Sequence, residues 1–235
     1  MKKIFMSVVA CAVALSAVTN EEILSLYDNL KVKGVKVEVE SRKSLPDTDG
    51  IEMVILKFVK GDQSQKDIVF TKGNFIYPDI LDLKKQLSYK NFYSFEMLKS
   101  ALTSVYKKEK SDNILKIGND KNKDTMVVFT DPECPYCRME VKALNETLKT
   151  YNVEMIFTSI HSDLAIEKAA LILQNSKGKS DKEKVEIAQK YYAEDAKIDA
   201  KVDSKIFDSI KTGAKKYFDA GLTSVPTKIL KSEMK

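Results

Sequence analysis

The sequence holds three cysteines, and two of them, Cys134 and Cys137, are separated by only two residues. Thiols at that spacing can close a disulfide, share a metal or exchange electrons. A structural disulfide gains more by closing a long loop, and this pair encloses almost none. A structural zinc site takes four ligands, whereas the chain has a single histidine, His161, and no second cysteine pair. Redox chemistry is the use that remains, and it calls for no metal and no organic cofactor. The third cysteine, Cys11, lies in a terminal segment of a different character.

The elements around the pair suit that chemistry. Thr125–Thr130 (TMVVFT) reads as a short apolar strand, and Asp131, Pro132 and Glu133 as a turn. Cys134 then opens a helix reaching about Tyr151, with Val141, Leu144 and Leu148 on one face. The first N–H groups of a helix have no intrahelical partner and favour negative charge, so a thiolate profits from that place. Pro135 fits the opening turn, where its missing N–H costs nothing. The spacing puts Cys137 on the same face, near enough to close a Cys134–Cys137 disulfide. Cys134 is therefore expected as the exposed attacking sulfur and Cys137 as the more buried resolving one, with Tyr136 shaping the rim. Asp131 and Glu133 read as turn formers, and His161 as a solvated turn residue rather than a general base. The lysine-rich stretches at 107–110, 177–184 and 215–216 read as solvated faces.

At the N-terminus, Lys2 and Lys3 lead into IFMSVVACAVALSA. A basic start, an apolar stretch and small residues describe an export leader, with cleavage expected after Ala17. Val8 to Cys11 also resembles the box at which lipoproteins are cut and acylated, so a lipid anchor on Cys11 is the alternative. Loss of the two leader lysines takes the formal net charge from +5 to +3, too small and dispersed for nucleic acid.

Farther along, 21–29 reads as a helix capped by Asn20, and Val35, Val37 and Val39 alternate with charged residues as in a half-buried strand. Residues 51–59 and 67–71 are further strand candidates. Phe95, Leu98, Leu102, Val105 and Tyr106 recur at helical spacing and suggest a linker helix. Beyond the pair come a strand at 153–158, helices at 164–175, 182–192 and 203–220, and the strand Thr227–Leu230. That order implies a layered α/β domain with an inserted helical lobe.

FTDPECPYC (129–137) resembles the active-site segment of the bacterial periplasmic thiol:disulfide interchange proteins, the DsbC/DsbG-like thioredoxin-fold family. Thr223-Ser224-Val225-Pro226-Thr227 is similar to that family's cis-proline loop. The resemblance implies a fold and a layout: a signal peptide at 1–17, a small α+β dimerisation domain at 18–90, a linker helix at 91–118, and a thioredoxin-like catalytic domain with a helical insertion at 119–235. It makes Cys134 the nucleophile, Cys137 the resolving cysteine and Pro226 the cis-proline facing them, with the Val225 backbone turned outward to pair with substrate. It further implies a periplasmic homodimer acting on exported cysteine-containing proteins and reset by a DsbD-like or DsbB-like membrane partner. Val225 is the residue typical of dithiol oxidases at that place, so a dimeric DsbA-like oxidase stands beside the isomerase. A periplasmic holdase chaperone is the alternative from another class.

Overall fold

The structure, a computed structural model, describes residues 17–159 and 162–235. The leader with Cys11, and His161, lie outside the described residues. The chain divides into two compact units, one through Phe95 and the other Glu96–Lys235.

In the first unit, two short helices, α1 (Asn20–Ser25) and α2 (Asp28–Lys31), stand where spacing predicts one. Thr19, not Asn20, is the cap of α1. Its hydroxyl accepts the Glu22 N–H at 3.2 Å, and the Glu22 carboxylate accepts the Thr19 N–H at 2.7 Å. This reciprocal arrangement satisfies two otherwise orphaned donors, which a lone Asn20 side chain does not. An antiparallel meander follows: β1 (Lys36–Ser44), β2 (Glu52–Lys60), β3 (Gln63–Lys72) and β4 (Phe75–Tyr77), in that spatial order. Ile23, Val54, Leu56 and Val69 form its small core, and Tyr27 meets Phe58 edge to face at 5.5 Å. Two short paired strands, β5 (Leu81–Asp82) and β6 (Leu87–Ser88), precede helix α3 (Tyr89–Tyr106).

Within 91–118, the stretch given to a linker helix, the helix stops at Tyr106 and Ile114–Ile117 forms a strand, β7. Four residues are too few for their alternation to stand out from the surrounding lysines. Pairing with a distant strand makes them β.

The second unit continues with β8 (Thr125–Thr130), α4 (Pro135–Lys142), α5 (Leu144–Thr150) and β9 (Asn152–Phe157). Then come α6 (Asp163–Asn175), α7 (Asp181–Tyr192), α8 (Ser204–Asp219) and β10 (Thr227–Leu230). Its sheet runs β10-β8-β9-β7. β8 and β9 are parallel, while β10 and β7 pair antiparallel at the two edges. A parallel pair needs a crossover, and α4 with α5 supplies it. The predicted single helix through this stretch is interrupted at Ala143, whose ψ of 5° leaves the helical range. Val127, Phe129, Met155, Leu171 and Tyr191 are buried in one core, and Phe129 packs on Tyr217 with ring centroids 5.0 Å apart.

β8 is steadied at its start by Asn152. That side chain accepts the Asp120 N–H at 3.0 Å and donates to the carbonyls of Asp120 and Lys123 at 2.8 and 3.2 Å. Gly118 passes over it with φ +83°, and a Cβ there would stand 2.7 Å from Asn152 Oδ1 and 3.3 Å from its Cα. Both the backbone conformation and the space require glycine. Gly118→Ala is expected to lower stability by about 1–3 kcal/mol, measured by urea denaturation; an unchanged midpoint would refute the packing account.

Candidate active site

β8 brings Thr130 into the core, and the chain turns at once. Asp131 is fully buried; its carboxylate accepts the Glu133 N–H at 2.8 Å, and its carbonyl accepts the Cys134 N–H at 3.1 Å. Pro132, with no N–H to donate, suits a place where the strand ladder ends. Cys134 has extended backbone angles (φ −77°, ψ 123°) and caps α4, while Pro135 occupies the first turn. The Cys134 carbonyl then accepts the Arg138 N–H at 3.0 Å, an ordinary helical bond. Strand, turn and helix thus place the first sulfur at a helix start.

Both cysteines carry free thiols. Cys137 is wholly enclosed, at 0% exposure, and Cys134 retains 5%. The order of accessibility is the one the spacing implies, but Cys134 is not the openly exposed sulfur expected. The reason is the loop before β10. The Val225–Pro226 bond is cis, and the Cys134 thiol donates to the Val225 carbonyl at 3.4 Å. Val225 therefore presents its carbonyl to the Cys134 sulfur. Tyr136 and Met139 stand outside this enclosure, Tyr136 with 71% exposure, and form an apolar rim.

Burial pushes the Cys137 thiol from 9.0 up to about 12. The Thr130 hydroxyl and the Asp131 backbone N–H act in the opposite sense, while the Cys134 sulfur adds to the rise. Desolvation wins because a thiolate loses more hydration than these two donors return.

One charged cluster beside the pair escaped the sequence. Lys168, in the middle of α6, is only 1% exposed, and its ammonium is bound to the Glu133 carboxylate. Arg138 of α4 reaches the other oxygen of Glu133 at 3.4 Å and donates through Nε to the Pro132 carbonyl at 3.3 Å. One carboxylate thus ties the turn to two helices. The only local signal was a lysine inside the apolar run of α6, where Ala165, Ala169 and Ile172 are buried. Among the described residues, no group of three or more His, Cys, Asp or Glu is placed to hold a metal.

A family model described as a thioredoxin-like domain matches residues 111–232, just over half of the chain. The structure of Helicobacter pylori DsbG is similar at 19% identity over 89% of this chain and 99% of that one, with a TM-score of 0.54. A linker-deletion variant of Proteus mirabilis ScsC aligns at 15% identity over 60% of this chain and 75% of its own, with a TM-score of 0.47. The alpha-DsbA2 of Wolbachia pipientis aligns at 14% over 57% and 85%, with a TM-score of 0.43. No curated protein matches the sequence.

Iodoacetamide at neutral pH should alkylate Cys134 well before Cys137, read by tandem mass spectrometry; equal labelling would contradict the enclosure. A thiol raised on folding stays protonated longer in the native state, so its contribution to stability is present below 9.0 and lost as pH rises toward about 12. Reduced protein should accordingly lose that increment over this window, and Cys137→Ala should not. Lys168→Met removes one partner of an enclosed pair. It should cost about 1–3 kcal/mol, less than for a fully buried pair because Glu133 keeps Arg138. Thermal unfolding measures it, and an unchanged midpoint would show the pair to be incidental.

Proposed function

Because the chain belongs to the thioredoxin-like domain family, we propose that it is a thiol–disulfide oxidoreductase working through Cys134 and Cys137, and that it acts in the periplasm on exported proteins. The observation that carries this reading is the graded enclosure of two free thiols at the start of α4. One sulfur retains a path outward beside an apolar rim; the other waits one turn beneath it. In isomerisation, the Cys134 thiolate attacks a substrate disulfide and forms a mixed disulfide, which a substrate thiol or Cys137 resolves. In oxidation, a substrate thiolate attacks the Cys134–Cys137 disulfide and leaves with the bond. Pro135 and Tyr136 set the opening of the helix and its rim, and Val225 with Pro226 borders the sulfur from the facing loop.

Isomerase is the reading preferred, with a DsbD-like membrane reductant resetting the pair. Val225 favours the second reading, a dimeric dithiol oxidase served by a DsbB-like partner. A homodimer built by residues 18–90 is supported by apolar side chains left open in the first unit, among them Phe75 on the edge strand and Leu83, which is 86% exposed. The leader at 1–17 directs export, with acylation of Cys11 as the alternative.

Cys134→Ala should abolish insulin reduction and repair of scrambled ribonuclease, whereas retained exchange would defeat the enzymatic reading. The state of the pair in cells separates the directions: mostly reduced for an isomerase, mostly oxidised for an oxidase. Sedimentation at micromolar concentration should give a dimer, and Leu83→Asp should weaken it; a monomeric wild type would refute the assembly.

A further inference from the structure

We propose that the cavity beneath α4 is a binding site for a small, uncharged aromatic or aliphatic molecule, and that its occupant braces that helix. The cavity, of about 190 Å³, lies between the sheet of the second unit and the α4–α5 crossover. Its floor is built by alternation. Met126, Val128 and Thr130 share one face of β8, and Val153 and Met155 continue that face on β9. The parallel register sets Met126 beside Val153 and Val128 beside Met155. Val141 of α4 and Leu144 of α5 close the cavity from above, on either side of the break at Ala143. These apolar side chains are buried, apart from the half-buried Met126. Glu140 and Lys228 line the cavity while keeping access to solvent, and mark the way in.

The chemistry of the walls selects the occupant. Thr130 shares a hydrogen bond of 2.9 Å with the Tyr192 hydroxyl of α7, and Thr147 donates to the Ala143 carbonyl at 3.4 Å. At the mouth, Lys228 Nζ lies 2.8 Å from the Glu140 carboxylate. A buried water needs two to four polar partners, and groups already bound to one another have little to offer it. A charged molecule fares worse. An anion drawn to Lys228 meets Glu140, a cation drawn to Glu140 meets Lys228, and the apolar floor desolvates either. A neutral apolar molecule pays neither cost. Size points the same way, since an engineered apolar cavity of about 150 Å³ stays dry and takes up benzene. A single ring, or an alkyl chain of similar bulk, fits the space.

The place of the cavity gives the occupant a consequence. Val141, in its roof, stands one turn after the enclosed Cys137 on the same side of α4. Solvent reaches that sulfur only when α4 lifts from the sheet, and lifting α4 also opens the cavity. A molecule that binds with α4 closed lowers the population of opened forms by mass action. The site therefore controls how often the second thiol is uncovered, and it exists whether or not the pair exchanges disulfides.

Titration of the reduced full-length protein with benzene, followed by NMR of labelled methionine methyl groups, tests the site. The Met126 and Met155 methyls should shift and saturate, while Met139, on the exposed side of α4, should not move. Benzoate and benzylamine carry the same ring with a charge and should bind about ten-fold more weakly or worse. Val128→Phe places a ring in the cavity and should abolish the saturable shifts. Circular dichroism verifies its fold, and Leu144→Phe fills the space from the other side should the first variant not fold. With about nine-tenths of the site occupied, amide exchange over residues 135–142, read by mass spectrometry, should slow about ten-fold. Absence of saturable shifts at Met126 and Met155 in the wild type would overturn the site, whatever the variants do. So would benzoate binding as tightly as benzene, or a folded Val128→Phe that still binds. Unchanged exchange over α4 at that occupancy would overturn the bracing.

Discussion

Desolvation of the second sulfur is the constraint on which this structure turns. A thiolate at Cys137 has no water to receive it, and the fold answers by holding that group as a thiol. The first sulfur, one helical turn earlier, is placed instead where backbone N–H groups gather and a narrow path to solvent remains. Two chemically identical side chains thereby acquire different surroundings. Any loosening of α4 against the sheet would let water reach both and erase that difference.

The elements beneath the pair can be read as means of keeping this enclosure rigid. Thr130 ends a strand in the middle of the sheet, paired on both sides by β9 and β10. Asp131 folds its carboxylate back onto the turn, and Glu133 is gripped from two helices at once. The Val225 carbonyl closes the remaining side. Because three separate segments meet at one sulfur, small movements of any of them change its access. Positioning of this kind is what a thiol exchange site needs, since attack and release both demand a particular line of approach.

The inserted helices do more than cover the sheet. α6 contributes the ammonium that secures the turn, and α7 contributes a hydroxyl that reaches the strand behind Cys137. Both side chains are polar and buried, and groups of that kind are retained only where partners satisfy them. The lobe is therefore tied to the turn and strand end beside the cysteine pair by specific bonds as well as by apolar packing against Phe129 and its neighbours.

Much of the second unit was legible because its signals are local. A β-branched apolar run, a proline-bearing turn and a cysteine pair at helical spacing are all read within a dozen residues, and the helices of the lobe follow from their own periodicity and caps. β7, the break at Ala143 and the double helix after Thr19 were not legible, because pairing with β9, a change of ψ and a capping box decide them. The burial of Cys134 under Val225, and the meeting of Lys168 with Glu133 and of Tyr192 with Thr130, join residues 35 to 91 positions apart. The sequence alone determined that two cysteines stand one turn apart where a helix begins, and which way that helix points. Only the tertiary structure decided how dry those atoms are and which distant donors face them, because solvation is a property of everything packed around a group rather than of its neighbours along the chain.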